Sequence, residues 1–145
     1  MVSRTRPINV LLVEDSPSDQ ELTKEAFESA KVLNEFHIVE NGEDALDYIF
    51  QRGRFNEASR PDIVLLDLNL PGIDGREVLS QIKGDQDRKM IPVIILTTSD
   101  DEHDILRSYG LHANCYITKP VDFRKFADAI KVLEDFWMVL VKLPG

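Results

Sequence analysis

"DIVLLDLNLPG", residues 62–72, decides how this chain is read. Ile63, Val64, Leu65 and Leu66 run directly into Asp67, with Asn69, Pro71 and Gly72 just beyond. An unbroken apolar run of this length fits a strand covered on both faces, as in a parallel sheet with helices on each side. Pro71-Gly72 is turn chemistry and ends it. A carboxylate at the mouth of such a strand gives up hydration and needs compensation. Asp67 is therefore a turn or capping residue, or it is held there for its chemistry.

Outward from this strand the same texture recurs. "INVLLVED" (8–15), "FHIVEN" (36–41), "PVIILTTS" (92–99) and "ANCYITKP" (113–120) are short runs rich in Val, Ile and Leu. Between them lie segments with helical spacing and caps: Ser16 before Pro17, Asn41 with Asp44, Asp74 with Glu77, Ser99 with Glu102, and Asp122. Leu22, Ala26, Phe27 and Ala30 form the apolar stripe of the first helix; Ala45, Leu46, Ile49 and Phe50 that of the second. Val78, Leu79 and Ile82 serve the third, and Ile105, Leu106 and Tyr109 the fourth. The pattern is (βα) repeated five times, an α/β fold, with 52–61 as a polar surface loop.

Composition bounds the partners. The chain has 145 residues with 43% hydrophobic content, enough for one domain with its own core. Its 26 acidic and 17 basic residues leave a formal charge of -9, which repels nucleic acid and anionic membrane. Proteins or cations are the expected partners. One cysteine, Cys115, cannot close an internal disulfide, and no signal-like or membrane-length apolar run occurs, so the cytoplasm is the expected location.

In open α/β sheets ligands bind at the carboxyl ends of the strands. Those ends carry Glu14 and Asp15, Asp67, Thr97 and Thr98, and Lys119-Pro120. Three carboxylates gathered in one site disfavour each other's ionisation unless a cation joins them. Oxygen ligands suit Mg2+, and that ion together with the Lys119 ammonium brings the formal sum to about zero. Asp67 is then a candidate nucleophile forming an aspartyl phosphate, with positive charge placed to stabilise the transferring group. Taken singly each residue has a bland role: cap, core hydroxyl, solvated strand end. Their joint placement on four strand ends favours the chemical one. His37, His103 and His112 have no metal-ligand spacing, Cys115 is a small buried hydrophobe, and Gly72 and Gly75 are turn residues.

"LLVEDSPSD", "DIVLLDLNLPGIDG", "PVIILTTSDD" and "YITKP" together resemble the receiver domain of two-component response regulators over almost the whole chain. The resemblance implies a flavodoxin-like doubly wound (βα)5 fold with a five-stranded parallel sheet in the order 2-1-3-4-5. It implies that Asp67 accepts a phosphoryl group from a histidine kinase, and that Glu14, Asp15, Asp67 and the Asn69 backbone carbonyl bind Mg2+. Thr97 and Lys119 would contact the phosphoryl oxygens, and Tyr116 would be the aromatic switch that follows Thr97. Such a protein is a signalling phosphoacceptor rather than an enzyme; a shuttle or sink in a longer relay is the alternative. A haloacid-dehalogenase-type phosphatase also uses a nucleophilic Asp, but at the end of its first strand and with Asp where this chain has Asn69. "EDSPSD" is too acidic for the phosphate loop of a flavodoxin-like electron carrier.

The C-terminus carries surplus apolar surface. Phe123, Phe126, Ala127, Ile130, Leu133 and Trp137 make one stripe for the core; Ala129, Val132, Phe136 and Leu140 make a second, displaced one. That second stripe suits a homodimer or a kinase-docking surface, or a tail folded back on its own domain. "DFWMVLVKLPG" and the loop around Phe55 resemble the single-domain response regulators associated with phytochrome kinases. This narrower resemblance implies a phytochrome as the partner kinase and homodimers as the assembly. Residues 1–145 are thus expected to form one receiver domain, with 136–145 as an extension and no output domain.

Overall fold

The computed structural model describes residues 7–29, 34–98 and 115–129. Strands β1 (Ile8–Val13), β2 (Asn34–Val39), β3 (Ile63–Asp67), β4 (Val93–Thr97) and β5 (Cys115–Thr118) form one sheet. Every pairing is parallel, and the order is β2-β1-β3-β4-β5. The chain thus reverses its direction of winding at β1 and β3, the place where this architecture binds ligands.

The three inner strands are buried at every position, whereas β2 and β5 at the edges are only partly covered. Alternation sends side chains to two separate cores. On one face Leu11, Val13, Val64, Leu66, Val93 and Ile95 pack under helices α2 (Gly42–Ile49) and α3 (Gly75–Lys83). On the other, Val10, Leu12, Ile63, Leu65, Ile94 and Leu96 meet Ala26 and Phe27 of α1 (Pro17–Ser29) and Phe126 and Ala129 of the helical residues 123–129. The Phe27 and Phe126 rings lie 5.0 Å apart and join the first helix to this last one.

The caps read from sequence hold the helix starts. Asn41 accepts from the Asp44 amide at 2.7 Å, Asp74 from Arg76 at 2.7 Å and Asp122 from Lys125 at 2.9 Å, while the Ser16 hydroxyl accepts from the Asp19 amide at 3.4 Å. The Ser99 cap and the fourth helix, with Ile105, Leu106 and Tyr109, lie outside the described residues.

Four expectations change. Strand β2 begins at Asn34, two residues before the apolar run, because its register against β1 pairs Ile8 with Asn34. Leu22 of the first stripe is 41% exposed, and Thr23 is buried in its place, its hydroxyl satisfied by the Asp19 carbonyl at 2.8 Å. The loop 52–61 contains a 3-10 turn, Gly53–Phe55, tied down by aromatic packing of Phe55 on Tyr48 at 5.4 Å and of the Arg54 guanidinium over Phe55 at 4.4 Å. Finally, Ala129 belongs to the core, 3% exposed, while Phe123 from the supposed core stripe is 51% exposed. Ala129 follows Phe126 by one turn into the buried layer, whereas Phe123 opens the helix, where the ring stands half in water. Ala129 is therefore not open to the expected dimer or partner surface; Val132, Phe136 and Leu140 lie outside the described residues.

Candidate functional site

The carboxyl ends of β1, β3, β4 and β5 meet as the sequence predicts. Glu14 and Asp15 follow β1, and the Glu14 amide donates to the Val39 carbonyl at 3.0 Å, which continues the ladder and turns both carboxylates over the sheet end. Asp67 is the last residue of β3 and only 2% exposed. The Lys119 amide donates to the Thr97 carbonyl at 2.7 Å, so the lysine is fixed to the end of β4 just beyond β5. Its peptide bond to Pro120 is cis.

From there the Lys119 ammonium reaches back across the site. It donates to Asp67 Oδ2 at 3.0 Å and to Asp19 Oδ2 at 3.1 Å. It also approaches Glu14 Oε1 at 2.7 Å, an ion pair that lacks the direction of a hydrogen bond. Glu14 is completely buried; its Oε2 accepts from the Ser16 amide at 3.3 Å, and its Oε1 has no well-aimed donor among the described residues. Burial, and then the neighbouring Asp67, push the Glu14 carboxyl up to about 7, against the lowering effect of Lys119. Burial alone would lower the Lys119 ammonium, but its close contacts with the Glu14 and Asp67 carboxylates outweigh it and hold it above lysine's ordinary value.

This is a site with surplus negative charge. Glu14, Asp15 and Asp67 each offer a carboxylate oxygen, and these oxygens lie within 4.8 Å of one another. Three hard oxygen donors, one of them buried without a directed partner, fit a small divalent cation such as Mg2+. Asp15 is exposed and gives the group its open side. The Asn69 amide donates to Asp67 Oδ1 at 2.9 Å, which holds the loop after β3 close to the acceptor carboxylate. Helix α3 presses on the same loop through Gly75, where a Cβ would stand 2.5 Å from the Asp67 carbonyl oxygen. Gly72 takes the turn between them at a φ of 71°.

Thr97 is 2% exposed on β4 and Tyr116 is half-buried on β5. Register places Tyr116 beside Ile95, two residues before Thr97, and alternation puts Thr97 on the same side as Ile95. The two proposed switch residues thus share the face on which Tyr116 packs against the core under α2 and α3. Cys115 is half-buried on that strand, its thiol pushed up by burial, and the His37 ring packs at a tilt against Tyr48, 5.6 Å between centroids.

One member of the site escaped the sequence reading. Asp19 lies in the first turn of α1, beyond the strand ends, and yet supplies, beside Asp67, a directed acceptor for Lys119. Its signal was its place in "EDSPSD": a helix opening directly after β1 must return its first turn to the strand end.

A family model described as the response regulator receiver domain matches residues 10–131. The chain is a response regulator receiver. It is 43% identical over 139 residues to Response regulator Rcp1 of Synechocystis, covering 96% of this chain and 95% of that one. The solved Mn(2+)-bound form of Rcp1 superposes with a TM-score of 0.76 at 42% identity, covering 96% of this receiver and 100% of that chain. The bacteriophytochrome response regulator RtBRR gives a TM-score of 0.83 at 43% identity, over 88% of this chain and 78% of that one. The phosphorylated cyanobacterial phytochrome response regulator RcpA gives 0.77 at 45% identity, over 97% and 100%. As a receiver the chain belongs to two-component signalling. Among the described residues no helix is long and apolar enough to cross a membrane.

Proposed function

We propose that Asp67 accepts a phosphoryl group from a histidine kinase in a Mg2+-dependent reaction, and that the kinase is of the phytochrome class. The observation that carries this reading is the buried Asp67 carboxylate, bonded to the Lys119 ammonium and flanked by two further acids that leave room for a cation. Relatives named as phytochrome and bacteriophytochrome response regulators, one of them solved phosphorylated, support it, as does the Mn(2+)-bound form of Rcp1. Glu14, Asp15, Asp67 and the Asn69 carbonyl would hold Mg2+. When bound, the ion supplies positive charge for the phosphoryl oxygens.

The chain's own residues do the rest. An Asp67 oxygen forms its bond to phosphorus while the bond from phosphorus to the kinase imidazole nitrogen breaks, and the electron pair leaves on that nitrogen. Lys119 binds a phosphoryl oxygen, Thr97 turns its hydroxyl toward another, and Tyr116 moves into the space on their common face. The chain then acts through an altered binding surface, in the cytoplasm beside its kinase, and catalyses only its own phosphorylation and dephosphorylation. Self-association through Val132, Phe136 and Leu140 belongs to the same reading and rests on their apolar spacing.

Acetyl phosphate with Mg2+ should add the mass of one phosphoryl group, stable in acid and lost in base. Asp67→Asn should add none. Equal labelling of the variant would remove Asp67 from its role.

A further inference from the structure

Lys119 has three ammonium hydrogens and faces three carboxylates, but those carboxylates have different prospects. Glu14 and Asp67 belong to the group of acids spaced for a divalent cation, and Asp19 does not. A cation held by Glu14 and Asp67 draws on the same oxygens and repels the ammonium. Esterification of Asp67 removes that partner's charge as well. Through both events Asp19 alone of the three keeps a carboxylate with no second duty. It is also placed to be steady, because it sits on helix backbone: its carbonyl accepts from the Thr23 hydroxyl at 2.8 Å and its amide donates to the Ser16 hydroxyl at 3.4 Å.

We propose that Asp19 is a positioning residue that anchors the Lys119 ammonium at the mouth of the site while Glu14 and Asp67 are engaged elsewhere. The inference rests on the phosphoacceptor reading of Asp67 for its consequence, though not for its geometry. A lysine side chain is long and freely rotating, so an ammonium released by its acid partners would swing to water and have to be recovered at each phosphoryl transfer. Asp19 keeps it within reach. Asp19→Asn would retain a neutral acceptor oxygen on a side chain of the same length, whereas Asp19→Ala would retain none.

Two readouts test this in the full chain. The first is the Lys119 ammonium resonance in nitrogen-15 NMR, identified by its loss in Lys119→Arg and recorded with Mg2+ but without phosphodonor. Wild type and Asp19→Asn should keep a slowly exchanging signal, and Asp19→Ala should lose it to solvent exchange. The second is labelling by acetyl phosphate, which should slow about three- to tenfold in Asp19→Ala, the effect of one hydrogen bond, and be restored by Asp19→Asn. A Lys119 signal that persists in Asp19→Ala overturns the proposal, as does equal slowing in both variants, which would make the negative charge the operative feature. A wild type that is never labelled overturns the phosphoacceptor reading instead, and the ammonium signal still decides the role of Asp19.

Discussion

Replacing Lys119 by methionine keeps most of the length of the side chain and removes the one positive charge that, among the described residues, faces Glu14, Asp19 and Asp67 together. Removing one partner of a buried ion pair costs about 3–5 kcal/mol, because the remaining charge stays desolvated. Lys119 is 11% exposed, Glu14 and Asp67 are buried, and Asp19 at 28% keeps some contact with water. The lower end applies: about 3 kcal/mol without metal, or roughly 10 °C in the thermal midpoint for a domain of this size. Added Mg2+ should reverse the order of effects. The cation restores the missing charge and no longer meets an ammonium, so it should raise the midpoint of Lys119→Met more than that of the wild type. Differential scanning fluorimetry across a Mg2+ series reads both quantities. An unchanged midpoint without metal, or equal metal-induced rises in the two proteins, would refute the account of Lys119 as the site's resident counter-charge.

Two further outcomes follow from the packing. Phe126→Ala should cost about 3–5 kcal/mol in urea unfolding, as it empties a fully buried position against Phe27, while Phe123→Ser should stay within about 0.5 kcal/mol because that ring is half in water. Gly75→Ala should destabilise by about 1–3 kcal/mol, since its methyl group must push back the Asp67 carbonyl and Leu68, and Mg2+ titration by calorimetry should show weakened binding as the β3 end shifts.

The three inner strands were legible because burial on both faces leaves an unbroken apolar run, and the site was legible because it sits at the ends of those runs. Edge strands write a weaker signal: β2 is half-covered, so its start is set by pairing with β1 and not by its own residues. Asp19 was missed for a related reason. It reaches the site from a helix turn, so its neighbourhood marks it as near the strand end but does not name its partner, a lysine a hundred residues on. The approach of the Arg88 guanidinium to the Phe50 ring, 4.9 Å from its centroid, is likewise a product of folding that no local pattern announces. Ala129 and Phe123 were exchanged because helical spacing gives the phase of a stripe only loosely, and a small residue beside a large one is easily given the wrong side.

One of the two cores depends on residues that leave the ribosome late. Among the described residues, the layer opposite α2 and α3 needs Phe126 and Ala129 to cover Phe27 and the inner strands. A nascent receiver that has not yet delivered Phe126 therefore still shows part of Val10, Leu12, Leu65 and Ile94 to water on that side of its sheet. During that interval the half-built domain is a sticky surface and a natural client for chaperones. A premature stop before residue 126 would leave it permanently in that state, to be cleared by proteolysis rather than to persist as a weakened signalling protein.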